Sequence, residues 1–514
     1  MFPTLTARTL RVSIFSALTV LASMPVFAQL PVETQFSLSA GAGSSDFAPY
    51  YIASNRHATV TQSGNTLLQA AARHSMDSTS RFSWGAGIEL WGGWTSTADY
   101  QRYNPEGIKV VNPQHPGRVW LQQLYGEVKW RSLFFSLGMK QRESALLNFA
   151  LSSGDLVESG NARPIPQARA GFIDFQDVPF TKGWLQIQGE LAYGKYADNK
   201  WLENHYNYDN WHLNKGAFYV YRRLYFRVAP RRRLSLTLGM QAAGQIGGNT
   251  SWWNKGGWVS GVKNKASLFD LIKMAVPVGG NNGGSEYYDG NNLGSWDILA
   301  RYKFTSGHVL KAYLQKPWEK GSGIGWANGF DGVWGLEYKS PAASWIDGAV
   351  IEYIDFTNQS GPIHWSPGDS PGTTITTNSN GGEQYYNNNI YNSYANYGMS
   401  IGTPFLPAPI YNLDGYMAYV DNRVRGFHIG VNGTIMPRLT YRILASFRKS
   451  WGDGRVPRSH AVDCTSWMIE GSYLLPRIPG LSVNLQLAMD RGNMLGDRFG
   501  TLITFRYNRI FDKK

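Results

Sequence analysis

Aromatic rings and side-chain amides are the groups with which this chain can do chemistry. Between residues 198 and 215, Trp201, His205, Tyr206, Tyr208 and Trp211 alternate with Asp198, Asn199, Asn204, Asn207, Asp209 and Asn210. A second stretch, 357 to 422, carries Trp365, Tyr385, Tyr386, Tyr391, Tyr394 and Tyr397 among many Asn residues, Asn388 included. Flat aromatic faces suit the apolar C–H face of a pyranose, and planar amides, carboxylates and guanidinium groups suit its hydroxyls. The chemistry indicated is carbohydrate binding, with Trp201, Asn204, Tyr206, Trp211, Arg163, Trp365, Tyr386, Asn388 and Tyr391 as the candidate residues. Any one of these rings serves as readily as a membrane-interface or loop-packing anchor. The set taken together favours binding. Lys195, Lys200, Lys215, Lys255, Lys263, Lys265 and Arg163 can draw an acidic polymer at long range, or pair with lipopolysaccharide phosphates.

Catalytic constellations are weak by comparison. His74-Ser75 and Ser459-His460 are adjacent pairs without a strand-turn-helix elbow around them. Asp331, Glu337, Glu352 and Asp355 fall on neighbouring expected strands, where carboxylates commonly serve solvation rather than glycoside cleavage. Gly321-Ser322-Gly323-Ile324-Gly325 lacks the Lys-Ser/Thr ending of a phosphate loop. Cys464 is the only cysteine, so neither a disulfide nor a cysteine-based metal cluster can form within the chain. No spaced His or carboxylate set suggests a metal. The reading is of a protein that is not an enzyme and needs no cofactor.

The elements that must position these loops follow from composition and period. The chain has 514 residues, 43% hydrophobic, 14% aromatic and only 17% charged, with 57 Gly and a formal charge of +13. Such a composition argues against disorder. Residues 1–28 carry Arg8 and Arg11, an apolar stretch from Val12 to about Met24, and Val26-Phe27-Ala28, which reads as a cleavable signal peptide. An exported barrel meets no nucleic acid, so the positive charge has other partners. After the leader, no run approaches the roughly 18 residues that a spanning helix needs.

Segments of about ten residues alternate apolar and polar with period two, as strands do when their faces see different surroundings. Phe82, Trp84, Ala86, Ile88 and Leu90 oppose Arg81, Ser83, Gly85, Gly87 and Glu89. Leu481, Val483, Leu485, Leu487 and Met489 oppose Ser482, Asn484, Gln486 and Asp490. Residues 184 to 193 behave alike, and further runs start near 34, 65, 119, 132, 169, 217, 233, 296, 308, 332, 346, 424, 439, 466 and 499. About eighteen strands result, sixteen being the alternative. Strand lengths near those of an oblique bilayer crossing, aromatic strand ends (Trp120 and Trp130, Trp184 and Tyr193, Phe499 and Tyr507) and a polar opposite face point to a transmembrane antiparallel β-barrel. It forms a single domain over 29–514, in the outer membrane. Connections alternate between short ones (76–79, 230–232) and long ones (92–118, 194–216, 244–295, 357–422), the asymmetry of periplasmic turns against outer loops. A short amphipathic helix near 268–276 is expected inside the third long loop, where it would plug the lumen.

The loops carry a resemblance. Ser159-Gly160-Asn161-Ala162-Arg163-Pro164-Ile165-Pro166, Gly290-Asn291-Asn292-Leu293-Gly294-Ser295, Tyr385-Tyr386-Asn387-Asn388-Asn389-Ile390-Tyr391 with Ile401-Gly402-Thr403-Pro404-Phe405, and Met489-Asp490-Arg491-Gly492 with Gly496-Asp497 and Gly500 resemble the capsule assembly protein Wzi family, in the versions found in Bacteroides-type bacteria. The resemblance runs from about residue 45 to the C-terminus. It implies an eighteen-stranded outer-membrane lectin that holds capsular or surface polysaccharide at the cell surface and catalyses nothing. A monomer, seated in outer-membrane lipid and lipopolysaccharide, is expected. The alternative is a diffusion pore for saccharides, since a barrel of this size is wide enough to conduct.

Overall fold

A computed structural model describes residues 31–104, 106, 108–205, 212–254, 257–264, 290–362, 364–365, 379–388 and 391–511. Eighteen strands form one closed antiparallel barrel. They are β1 Val32–Gly43, β2 Asn65–His74, β3 Phe82–Thr95, β4 Val119–Trp130, β5 Leu133–Met139 and β6 Gln167–Phe172, the last continued by Gln176–Asp177. Next come β7 Leu185–Lys195, β8 Phe218–Val228, β9 Leu234–Ile246, β10 Asn291–Lys303, β11 Val309–Trp318 and β12 Gly332–Lys339. The last six are β13 Gly348–Asp355, β14 Val424–Met436, β15 Leu439–Gly452, β16 Pro457–Leu474, β17 Leu481–Arg491 and β18 Arg498–Phe511. Each strand pairs with the next, and β18 closes on β1 in register from Val32 with Phe511 to Gly43 with Gly500. Closure leaves no open edge, which is the condition for crossing hydrocarbon with strands.

Alternation decides which face goes where. On β3, Phe82, Trp84, Ile88 and Leu90 are exposed on the outer surface while Gly85, Gly87 and Glu89 are buried inside; on β17, Leu485 and Leu487 are exposed while Gln486, Ala488 and Asp490 are buried. Such a wall places an apolar band against lipid and a polar face in the lumen. Both ends of the barrel chain and the tight turns, among them 131–132 and 437–438, lie at one end; the long connections lie at the other.

The aromatic girdle expectation fails at Trp120. Trp130 is 51% exposed and Trp120 only 8%, although residues ten apart share a face of an unbroken strand. The register between β3 and β4 shifts, pairing Glu89 with Gln123 but Leu90 with Leu121, so Gln122 is an extra residue. A bulge of that kind re-aims the side chains beyond it. It turns Trp120 into the lumen, where its ring stacks on Trp91 at 6.1 Å between centroids.

Loops fill the lumen. Residues 44–64, 140–166 and the described residues of 356–423 fold inward and bury Tyr50, Tyr51, Ile52, Leu151, Leu156, Val157, Tyr394 and Phe405. Inward-facing polar residues of the wall hold them. Asp155 accepts from Gln241 of β9 at 2.7 Å and from Gln315 of β11 at 3.0 Å. Glu352 of β13 accepts from the Ser153 N–H at 2.7 Å, and Asp490 of β17 from the Tyr50 N–H at 2.9 Å. His428 of β14 donates from Nε2 to the Leu151 carbonyl at 2.7 Å and accepts at Nδ1 from the Tyr51 hydroxyl at 2.8 Å. Two loops are welded by tyrosines: Tyr386 donates to the Leu156 carbonyl at 2.6 Å, and Tyr394 to that of Val157 at 2.7 Å. The expected plug helix at 268–276 lies outside the described residues; these other segments occupy the lumen.

Candidate functional site

At the loop end, above the plug, aromatic rings and charges from four connections converge. A short helix, α1 Asn199–His205, turns Trp201 and His205 inward, where their rings stack at 3.8 Å between centroids, and leaves Lys200, Glu203 and Asn204 on the outside. His205 meets Tyr100 edge-on at 4.7 Å, and Tyr100 donates to the Ile410 carbonyl at 2.5 Å. Trp201 points its ring edge at Gly398, whose φ of +71° suits glycine and where a Cβ would sit 2.3 Å from the indole. The neighbouring Tyr397 is pinned through its N–H to Asp198 (3.1 Å) and its hydroxyl to the Ala197 carbonyl (3.1 Å). Arg163 completes the group: its guanidinium carbon lies 4.8 Å from the Trp120 ring and 4.7 Å from the Tyr397 ring, distances at which cation–π attraction acts. Asn112 reaches the same place from the hairpin 98–114, donating to the Asn204 carbonyl at 2.9 Å. Burial pushes the Asp198 carboxyl up to about 6 and the His205 imidazole down to about 4. His205 is therefore a neutral ring at physiological pH, suited to stacking rather than to charge.

The structure thus brings together Trp201, Asn204 and Arg163 from the candidate set, and adds Tyr397 and Trp120. Tyr206 and Trp211 lie outside the described residues. Trp365 sits in a two-residue strand paired with Ser379–Asn380. Tyr386 and Tyr391 are elsewhere, 5% and 6% exposed within the plug; the Tyr386 ring is flanked by Tyr394 and Tyr419 at 5.5 and 5.3 Å, which leaves it no open face for a sugar. Asn388 donates to Asn291 Oδ1 at 2.9 Å. Trp120 escaped sequence reasoning because the bulge that turns it inward has no signature of its own; the stack of Trp91 and Trp120 was likewise hidden.

The candidate carboxylates of the wall are occupied. Glu337 is paired with Lys311 at 3.0 Å, Glu352 accepts from Ser153 N–H and Tyr313, and Asp355 is paired with Arg425 at 2.8 Å. Asp331 accepts from the Asn358 and Gln359 N–H groups and from Tyr385. Ser459 and His460 form a 3.1 Å contact on an exposed strand end. Among the described residues, no cluster of three or more His, Cys, Asp or Glu side chains could hold a metal ion.

No family model matches the chain, and no curated protein does. Among solved structures it is similar to Wzi of Escherichia coli, described as an outer membrane protein involved in group 1 capsule assembly and a carbohydrate-binding β-barrel. That likeness has a TM-score of 0.55 at 12% identity and covers 96% of this chain and 87% of Wzi. OccAB2 of Acinetobacter baumannii aligns with 94% of this chain and 98% of its own at 9% identity and a TM-score of 0.47. OccK5 of Pseudomonas aeruginosa covers the same shares at 9% identity and 0.44. At such identities the likeness is one of architecture: the chain is a closed β-barrel built like an outer-membrane protein.

Proposed function

We propose that this chain is exported by the leader at 1–28 and folds as a single outer-membrane barrel over 29–514. There it acts as a lectin of the Wzi kind, holding surface polysaccharide at its loop end and catalysing nothing. The observation that carries this reading is the convergence of Trp201, Tyr397, Arg163 and Asn204 directly above a packed plug, with the buried Trp120 ring against Arg163. A polymer reaching this end meets rings, a guanidinium and amides, while the loops below bar its passage. Tyr206, Trp211 and Trp365 are proposed as further binding residues on their type and loop alone, and Tyr386, Asn388 and Tyr391 would brace the loop that presents Tyr397. Lys200 and Arg163 favour an acidic polymer. Single contacts of this size are weak, and a repeating polymer strengthens them by raising the effective concentration at neighbouring sites. A monomer suffices for this role, with lipid and lipopolysaccharide as its surroundings.

A conducting reading has one observation in its favour, the cavity at the short-turn end described below. The buried loops between that cavity and the outer face weigh against it. Polysaccharide pull-down with purified, detergent-folded protein tests the lectin reading. The double variant Trp201→Ala, Tyr397→Ala should retain at least tenfold less native surface polysaccharide while keeping the barrel's heat-modifiable migration. Undiminished retention by the folded double variant would remove this site.

A further inference from the structure

At the short-turn end the lumen opens into a cavity of about 740 Å³, within the range of ligand pockets. Its wall carries a ladder of side-chain amides running across β1 to β4. Gln35 donates to Gln69 Oε1 at 2.8 Å, and Gln69 to Glu89 Oε1 at 2.9 Å. Gln123 donates to Glu89 Oε2 at 2.6 Å and to Gln141 Oε1 at 3.0 Å. Every amide in the ladder is therefore held in one orientation. Beside it Tyr125 lies over Gly87, where a Cβ would come within 2.6 Å of the ring, and Lys140 Nζ sits 4.9 Å from the ring centroid. Fixed planar amides and a carboxylate next to an aromatic ring are the groups that recognise saccharide hydroxyls and C–H faces.

At its inner end this cavity meets a second of about 40 Å³; His57 and Lys140 line both. The smaller space exceeds the roughly 30 Å³ share of one water and suits a carboxylate-sized group. Arg142, Arg163, Gln167 and Glu158 stand around it, and the donors Arg142 Nε and Arg163 Nε are buried without a hydrogen-bond partner. Among the described residues, no carboxylate lies within ion-pair distance of either guanidinium. The other cations of this wall differ: Arg169 is held by Glu158 and Glu190, Arg223 by Glu190, and Lys140 by Glu127. Two buried guanidinium groups stand around one small cavity whose carboxylate, Glu158, is already engaged by Arg169, and the positive charge left over makes a place for an anion.

We propose that the two cavities together form a second saccharide site, reached from the short-turn end, that takes an acidic sugar. The ring lies against the amide ladder and Tyr125, and the carboxylate lies between Arg142 and Arg163. This site shares Arg163 with the outer face, whereas Arg142, Gln123 and Tyr125 belong to it alone. Isothermal titration of the detergent-folded full-length protein with digalacturonate, and with galactobiose as the uncharged counterpart, tests it. Digalacturonate should bind at least tenfold more tightly than galactobiose, and Arg142→Gln should bring the two within twofold. Gln123→Ala should weaken both sugars, and Trp201→Ala should bind digalacturonate as wild type does, whatever happens to its polysaccharide retention. Equal affinity for the two disaccharides, no binding of either by the wild-type protein, or an acid preference that survives Arg142→Gln in a folded barrel would each overturn the proposal.

Discussion

Replacing Asp155 by Ala should open the plug while leaving the barrel intact. The carboxylate is 1% exposed and gathers five donors: Gln241 (2.7 Å), Gln315 (3.0 Å), Ser144 (2.6 Å) and the N–H groups of Val157 (2.8 Å) and Glu158 (3.3 Å). Only the two glutamines tie the loop to the wall, and they stand on β9 and β11. Hydrogen bonds to a charged group contribute about 1.5–3 kcal/mol each, so the pair is worth about 3–6 kcal/mol. Removing Asp155 also removes its repulsion of the nearby Asp297, which offsets part of that loss and leaves about 3 kcal/mol as the working figure. At about 1.4 kcal/mol per tenfold, the open population of segment 140–166 should rise roughly a hundredfold. The strand ladders do not involve Asp155, so the barrel's melting temperature should fall little. Planar-bilayer recording would show frequent channel openings in Asp155→Ala against rare ones in the wild type, and limited proteolysis would cut within 140–166. A variant as quiet and as resistant as the wild type would refute the assignment of Asp155 as the tether.

Leu485, exposed on the middle of β17, faces lipid, and Leu485→Arg should cost about 2–4 kcal/mol of stability in bilayers by urea titration; an unchanged midpoint would mean that this face does not meet hydrocarbon. Gly398→Ala places a Cβ against Trp201 at a left-handed φ, so it should weaken polysaccharide retention with the barrel's melting unaltered, and full retention would separate Trp201 from the site. Burial raises the Asp198 and Asp331 carboxyls from 3.8 to about 6, which favours their neutral form in the folded loops. Their contribution is then complete below about pH 4 and is lost as pH rises through about 6, at most about 3 kcal/mol for each. Hydrogen exchange in 196–205 and 356–362 should accordingly quicken between pH 5 and pH 8 beyond the intrinsic rate change, less so for 356–362 in Asp331→Asn; equal protection at both pH values would contradict this.

Much of the wall was legible because its two faces see different solvents. The run Phe82 to Leu90 declares its lipid side residue by residue, and all eighteen expected strand starts have a counterpart in the barrel. The largest offsets have local causes. β16 begins at Pro457 rather than near 466 because Arg458, Ser459 and His460 are all exposed, and nothing there alternates. β10 begins at Asn291 rather than near 296 because Asn291 to Ser295 are buried as a block. The plug was not legible. Its contacts join residues such as Asp155 and Gln315 across the width of the barrel, and a polar side chain that will tether a loop reads in sequence like one that will merely be wet. The same blindness applies to the site: Trp201 and Arg163 announced themselves by type, whereas Tyr386 and Tyr391 share that type and are buried in the packing.

Single-channel recording and polysaccharide sedimentation, run on one preparation of the wild-type protein, test the central claim of a plugged, polysaccharide-holding barrel. The account predicts that the native surface polysaccharide co-sediments with the protein and that the bilayer current stays closed. Steady conductance without co-sedimentation would contradict it and make the chain a pore.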